Sequence, residues 1–220
     1  MSNAPFTILL ALLPLIGYLI LLGVIRVIGR PLVTTGARDI AALGIAISGL
    51  VAVGPAELFF PAAAASAFGP YVWVSLALFY FLCVLLVALT SKPRLVAYGR
   101  SAQEIYEPLL KAAQTLDAAA TGDPGRLQIS MPTANVRLRI DGQPGADYAQ
   151  IFAFEPNLTP HFWSQLQAHL REQVATSPRP RNLHGYAMLI TAACLVAFLA
   201  WQSLGREELV VEGFRNWLWR

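Results

Sequence analysis

Four long apolar blocks constrain this chain more than any other feature of it. They run over about residues 5–28, 40–60, 71–89 and 184–205. At about 1.5 Å per residue, each is long enough to cross a hydrocarbon core about 30 Å thick as a helix. No Lys or Arg lies in the middle of any block. Only 13% of the 220 residues are charged, about half the share usual in a soluble domain, and the deficit is concentrated in the blocks. The first block is not read as a cleaved signal peptide, because no basic stretch precedes it and its arginines follow the apolar run.

Orientation follows from the basic residues. Arg26, Arg30 and Arg38 lie between the first two blocks, Lys92, Arg94 and Arg100 follow the third, and Arg171, Arg179 and Arg181 precede the fourth. The 61–70 loop carries no charge. Retention of basic flanks on the cytoplasmic side predicts both termini outside and residues 91–183 in the cytoplasm, as in a bacterial inner-membrane protein. Phe59, Phe60, Tyr71, Trp73 and Trp201 then fall near the outer interface, where amphipathic rings are favoured. In the 206–220 tail, Val210, Phe214, Trp217 and Leu218 recur at helical spacing. An amphipathic helix on the outer headgroup layer and a disordered tail are the competing readings.

Within the second block, Ala41, Gly44, Ser48 and Ala52 share one helical face. Small side chains let helix backbones approach closely in lipid, so this helix is expected at the centre of the bundle, or against another subunit. Pro14 should kink the first helix. Glu57 is the one acidic residue inside an apolar block and so a candidate for proton or cation handling. It follows Gly54 and Pro55 near the outer end, with no second acid, His, Lys or Arg at similar depth. Cys83 and Cys194 form no metal or disulfide pattern and read as small hydrophobes packed between helices.

Residues 91–183 have the composition of a soluble domain. Leu95–Tyr98 reads as a strand, and Ser101 with Glu104 has the spacing of a capping box opening a helix. Ala102, Ile105, Leu109, Ala113 and Leu116 continue that helix, with a kink or restart at Pro108. Thr121–Gly125 is a turn signal. Leu127, Ile129 and Met131 alternate on one strand and Val136, Leu138 and Ile140 on the next. Tyr148–Phe154 forms a third. A last helix opens at Thr159 and Pro160, with Phe162, Leu166, His169, Leu170 and Val174 on one face. The expected fold is therefore a membrane all-α bundle of about four transmembrane helices with a small α+β cytoplasmic domain. That domain, ordered β-α-β-β-β-α, is inserted between the third and fourth spans. The chain divides into 1–90, 91–183, 184–205 and an outer-face tail, 206–220.

Catalytic signatures are missing from the cytoplasmic segment: no phosphate loop, GxGxxG, HExxH or GxSxG occurs. His161 and His169 share a helix but lack Cys or clustered acids, so no metal or cofactor is expected. The Asn157-Leu-Thr159 glycosylation pattern is silent in the cytoplasm. A helix-flanked three-stranded order invites comparison with double-stranded RNA-binding domains. The N-terminus of the last helix has no Lys or Arg to grip phosphate, however, and nucleic acid is not expected as a partner. What remains is a basic sheet face. Arg137 and Arg139 point the same way, beside Gln128 and Ser130, and Phe152 and Phe154 are candidates to join them. Such a face suits anionic lipid headgroups or a protein partner. The expected function is a non-catalytic accessory or scaffold subunit acting through lipid and protein contacts, including contacts with a second copy. A small transporter or channel component using Glu57 and a ligand-binding signalling module are the alternatives.

Overall fold

A computed structural model describes residues 4–29, 32–58, 60–143, 145–176 and 183–219, with the side chains of Ala4, Glu57, Ala62 and Leu183 excepted. Arg30, Phe59, Arg179 and Arg181 thus lie outside the described residues. In chain order the elements are α1 (Ala4–Ile28), β1 (Leu32–Thr35), α2 (Gly36–Val53), α3 (Pro55–Leu58), α4 (Ala62–Phe68) and α5 (Tyr71–Thr90). There follow β2 (Arg94–Tyr98), α6 (Ala102–Leu116), β3 (Thr121–Asp123), β4 (Gln128–Met131), β5 (Val136–Asp141) and β6 (Tyr148–Ala153). The chain closes with α7 (Pro160–Thr176), α8 (Leu183–Ser203) and α9 (Glu207–Leu218). They form two compact units: Met1–Leu22 with Ile40–Leu89 and Ala187–Arg220, and Gly23–Asp39 with Thr90–Tyr186.

The first unit is helical. Among the described residues, four helices, α1, α2, α5 and α8, are long and apolar enough to cross a membrane. Their outward faces are apolar: on α5, Leu78, Phe79, Leu86 and Leu89 are all more than half exposed. In water each such side chain forgoes about 1.5–3 kcal/mol of burial, a cost absent in hydrocarbon. Cys83 and Cys194 lie on exposed helix faces, not between helices as expected. The second apolar block was expected to span 40–60, whereas α2 begins at Gly36 and ends at Val53. Pro55 disfavours helical geometry at the residue before it and then opens α3, the short helix that carries Glu57.

α1 runs through Pro14 without a break. Pro14 has no N–H to give to the carbonyl of Leu10, and that oxygen lies against Gly49 of α2, where any Cβ would overlap it. Further along, Gly44 packs on Val84 of α5, and the Tyr80 hydroxyl donates to the Gly44 carbonyl at 2.6 Å. The tail is ordered as α9. Its Phe214 and Trp217 meet Phe6 at 5.8 and 6.0 Å, and Trp217 stacks on Trp73 at 3.8 Å.

The second unit is one six-stranded sheet, order β1-β2-β6-β5-β4-β3, with every pair antiparallel. Two of its strands depart from expectation. β1 comes from the segment between the first two apolar blocks, and β3 occupies residues assigned to a turn. Strands of four and three residues show no period of their own, and pairing with β2 and β4 creates them. α6 and α7 cover one face. Its core includes Val33, Leu95, Ile129, Leu138, Ile140 and Ile151 from the sheet, with Ile105 and Leu109 from α6 and Leu166 and Leu170 from α7. The capping box at Ser101 and Glu104 is present, and α6 continues through Pro108 as one helix. On α7 the Thr159 hydroxyl accepts from the Phe162 N–H at 3.2 Å. The buried α7 residues are Trp163, Leu166, Gln167, Leu170 and Val174; Phe162 packs partly buried against the same core, and His169 is half-buried.

Candidate functional site

Directly paired residues in an antiparallel sheet share a face, so the register assigns the sheet side that α6 and α7 leave free. It carries Thr34, Arg94, Val96, Tyr98, Tyr148, Gln150, Phe152, Arg139, Asp141, Arg137, Gln128, Ser130 and Asp123. This face has two halves that differ in cover.

Over β1 and β2 the face is covered, while the start of β6 borders a hollow of about 490 Å³ lined by Asp141, Gly142, Tyr148 and Gln150. Val96 and Tyr98 are buried. The ends of α1 and α2 belong to the same compact unit as the sheet and supply the cover. The Tyr98 hydroxyl donates to Asp39 Oδ1 at 2.5 Å. The Arg26 guanidinium lies 5.9 Å from the centre of the Tyr98 ring, and its Nε is 3.1 Å from Asp147 Oδ2. That contact is an ion pair without hydrogen-bond alignment. Gly36 leaves room for the aliphatic stem of Arg94, which a Cβ there would strike. Burial holds the Tyr148 hydroxyl above its usual pKa. The Gln150 hydrogen bond at 2.5 Å opposes the shift, Asp39 adds to it and Arg94 subtracts.

Over β3, β4, β5 and the end of β6 the face is open. Arg137, Arg139 and Asp141 are exposed. Arg139 stands between Gln128 and Phe152, and Arg137 opposite Ser130. The Arg137 N–H donates to Glu155 Oε2 at 2.8 Å, and its Nε lies 3.4 Å from Oε1. Its guanidinium also sits 5.4 Å from the Phe154 ring, which is 45% exposed and 6.3 Å from Phe152. A shallow hollow of about 190 Å³ runs beside Arg137 between Thr121 and Ser130. Two arginines therefore share one face with two aspartates, Asp141 and Asp123, the latter 3.7 Å from Arg126 Nε, with Glu155 at the edge. The open half is mixed in charge and aromatic at one side.

Among the described residues, no three His, Cys, Asp or Glu side chains gather as a metal ion requires. His161 and His184 are exposed and His169 is half-buried. Of the small-residue face on α2, Gly44 meets α5, while Ser48 and Ala52 line a cavity with residues of α1 and α5. Ala41 is half-buried. The side chain of Glu57 lies outside the described residues.

Sequence reasoning missed Gly49, because small-residue spacing picks out a stripe and not the position where backbones touch. It also missed the Asp39–Tyr98 and Arg26–Asp147 contacts. Charges at the ends of apolar blocks read as orientation signals, and only the strand at 32–35 brings them over the sheet. Comparison with family models, with curated proteins and with solved structures finds no match in any of the three.

Proposed function

We propose that this chain is a non-catalytic integral membrane protein of the inner-membrane type, a scaffold or accessory subunit that holds a protein partner on the open half of its sheet. The observation that carries this reading is the one-sided cover of the sheet. α6 and α7 take one face and the ends of α1 and α2 take half of the other. The remaining half keeps Arg139, Phe152 and Phe154 accessible.

The mixed charge favours a protein over a lipid surface. An anionic bilayer rewards net positive charge, and here Asp123, Asp141 and Glu155 offset Arg126, Arg137 and Arg139. Exposed aromatics beside an arginine are the composition of interface centres. Placement of this face in the cytoplasm is supported by the pairing of β1 with β2. That pairing sets the segment after α1 and the segment after α5 on the same side of any bilayer the helices cross. Both segments carry the basic residues retained inside.

The test is mild-detergent extraction from native membranes, then native mass analysis of the wild type and of an Arg139→Glu, Phe154→Ala variant. The wild type should migrate with a partner and the variant alone, with an unchanged circular dichroism spectrum. A variant that keeps its partner, or a wild type that carries none, overturns the reading.

A further inference from the structure

Most charges on the open half of the sheet are answered within the chain. Asp123 pairs with Arg126 at 3.7 Å, and Glu155 with Arg137 at 3.4 Å. Two are not. Arg139 is exposed and has no carboxylate partner among the described residues. Asp141, also exposed, accepts from the N–H of its neighbour Gly142 at 3.0 Å and meets no cation among the described residues. The two lie on one face of β5, two residues and so about 7 Å apart along the strand. Consider a second copy laid face to face on this one, turned by half a turn about an axis perpendicular to β5 at the level of Ile140. Each Arg139 then stands opposite the Asp141 of the other copy. Packed sheet faces lie about 10 Å apart, a gap that an extended arginine and an aspartate span together.

The same rotation also matches shape. Register sets Phe152 level with Arg139, and Gln150 level with Asp141. Phe154 lies one step beyond Phe152, its N–H donating to the Arg137 carbonyl at 3.0 Å. Tyr148 lies one step beyond Gln150 in the other direction. The half turn therefore brings the two phenylalanines of one copy over Gln150 and Tyr148 of the other. Those residues line the hollow of about 490 Å³. Exposed rings at one end of the face and a hollow at the other are thus disposed about the axis that relates the two unanswered charges. Complementary features paired about a single twofold are what an isologous contact requires. An unrelated partner would give this surface no reason to complement itself.

We propose that the open half of the sheet binds a second copy of this chain. In this twofold contact Arg139 of each copy pairs with Asp141 of the other, and Phe152 and Phe154 of each enter the other's hollow. The proposal rests on the reading that this half docks a protein, and it names that partner.

The test is native mass analysis of the full-length protein extracted in mild detergent. Arg139→Glu and Asp141→Arg are made singly, together in one chain, and as two singly substituted chains co-expressed. The wild type should be a dimer. Each single change sets like charges together twice across the twofold, and should weaken the dimer about tenfold or more. Co-expressed, the two singly substituted chains should pair with each other, since one then carries two negative charges at these positions and the other two positive. The doubly substituted chain should dimerise with itself again. Pairing in the mixture also shows that the single variants are folded. A wild type that carries a different protein, lost in Arg139→Glu, overturns the second copy and keeps the docking reading. Single variants that lose the dimer and are not restored by mixing overturn the twofold pairing alone. A dimer indifferent to both single changes, or a wild type with neither dimer nor partner, overturns both ideas.

Discussion

Arg171 donates twice to one backbone oxygen: its Nε at 3.0 Å and its Nη2 at 2.8 Å both reach the carbonyl of Val33. Gln167 adds a third donor at 3.1 Å. β1 is an edge strand of four residues, and an edge carbonyl is an invitation to foreign strands. α7 closes it from the flank, so a helix packed on the core face also secures the sheet's newest strand.

Replacing Arg171 with Ala should therefore loosen β1 while leaving the core intact. A hydrogen bond from a charged donor is worth about 1.5–3 kcal/mol. The exposure of Arg171 and the persistence of Gln167 reduce the expected loss to about 1 kcal/mol. Amide exchange at residues 32–35 should rise well before the melting temperature of the protein changes. Arg171→Lys should fall between the two, since an ammonium lacks the paired geometry of the guanidinium. Unchanged exchange in Arg171→Ala would show that pairing with β2 alone holds the strand.

Gly44 and Gly49 lie on the same helix and should not tolerate substitution equally. At Gly44 an added Cβ meets Val84 Cγ1 at 2.6 Å, a side-chain end that a rotamer change can move. At Gly49 it meets the backbone oxygens of Leu10 and Ala11, which move only if α1 moves. Gly44→Ala should cost 1–3 kcal/mol, roughly the range of ordinary overpacking. Gly49→Ala should lower the yield of folded, detergent-stable protein much further. Thermal unfolding monitored by size-exclusion chromatography orders the two, and equal behaviour would refute the backbone contact at Gly49.

Asp117 makes a third measurement possible, by pH. Its Oδ1 accepts from the Ala119 N–H at 3.0 Å, and its Oδ2 from the Thr133 and Ala134 N–H groups at 2.8 and 3.3 Å. The end of α6 is thereby tied to the β4–β5 turn. Burial pushes this carboxyl's pKa up, and the hydrogen bonds bring it below the usual aspartate value. A carboxylate depressed in the folded state stabilises the protein fully above its unfolded pKa, about 3.9, and loses that effect as pH falls through the lower folded value. The melting temperature of the wild type should drop more steeply below pH 4 than that of Asp117→Asn. At pH 7 the variant should melt lower, because its amide nitrogen cannot accept from Thr133. Parallel curves across pH 3–7 would remove Asp117 as a titrating staple.

What the sequence exposed, and what it hid, follows from the range of each signal. The first, third and fourth apolar blocks, the capping box at Ser101 and the alternation in β4 and β5 are local, and each appears within a few residues of its expected bounds, whereas the second block ends early at Val53. β1 was hidden because its reason for existing is β2, about sixty residues away. Gln167 was hidden because a reading built on apolar periodicity has no place for a buried amide, and the Val33 carbonyl that explains it is contributed by another segment. The site was legible in part for the same reason. Arg137, Arg139, Gln128 and Ser130 share a face by parity alone, and register across strands brings them together with Phe152. The aspartates that offset the arginines, and the cover over Tyr98, depend on register and on the 23–39 segment.

Arg26 and Asp147 carry the last prediction, because they join the end of α1 to the loop before β6. Their side chains are 10% and 12% exposed at a separation of 3.1 Å, so neither charge is solvated well enough to stand alone. Removing one partner of a buried pair costs roughly 3–5 kcal/mol, and partial exposure places this pair near the lower limit. Asp147→Asn should therefore deprive the Arg26 guanidinium of this carboxylate and destabilise more than Arg26→Met, whose flexible apolar chain still covers the Tyr98 ring. The double variant should recover part of the loss, since it buries no unpaired charge. Thermal melts of the four proteins in one detergent form a double-mutant cycle. A coupling energy near zero would mean that this ion pair does not hold the end of α1 to the sheet.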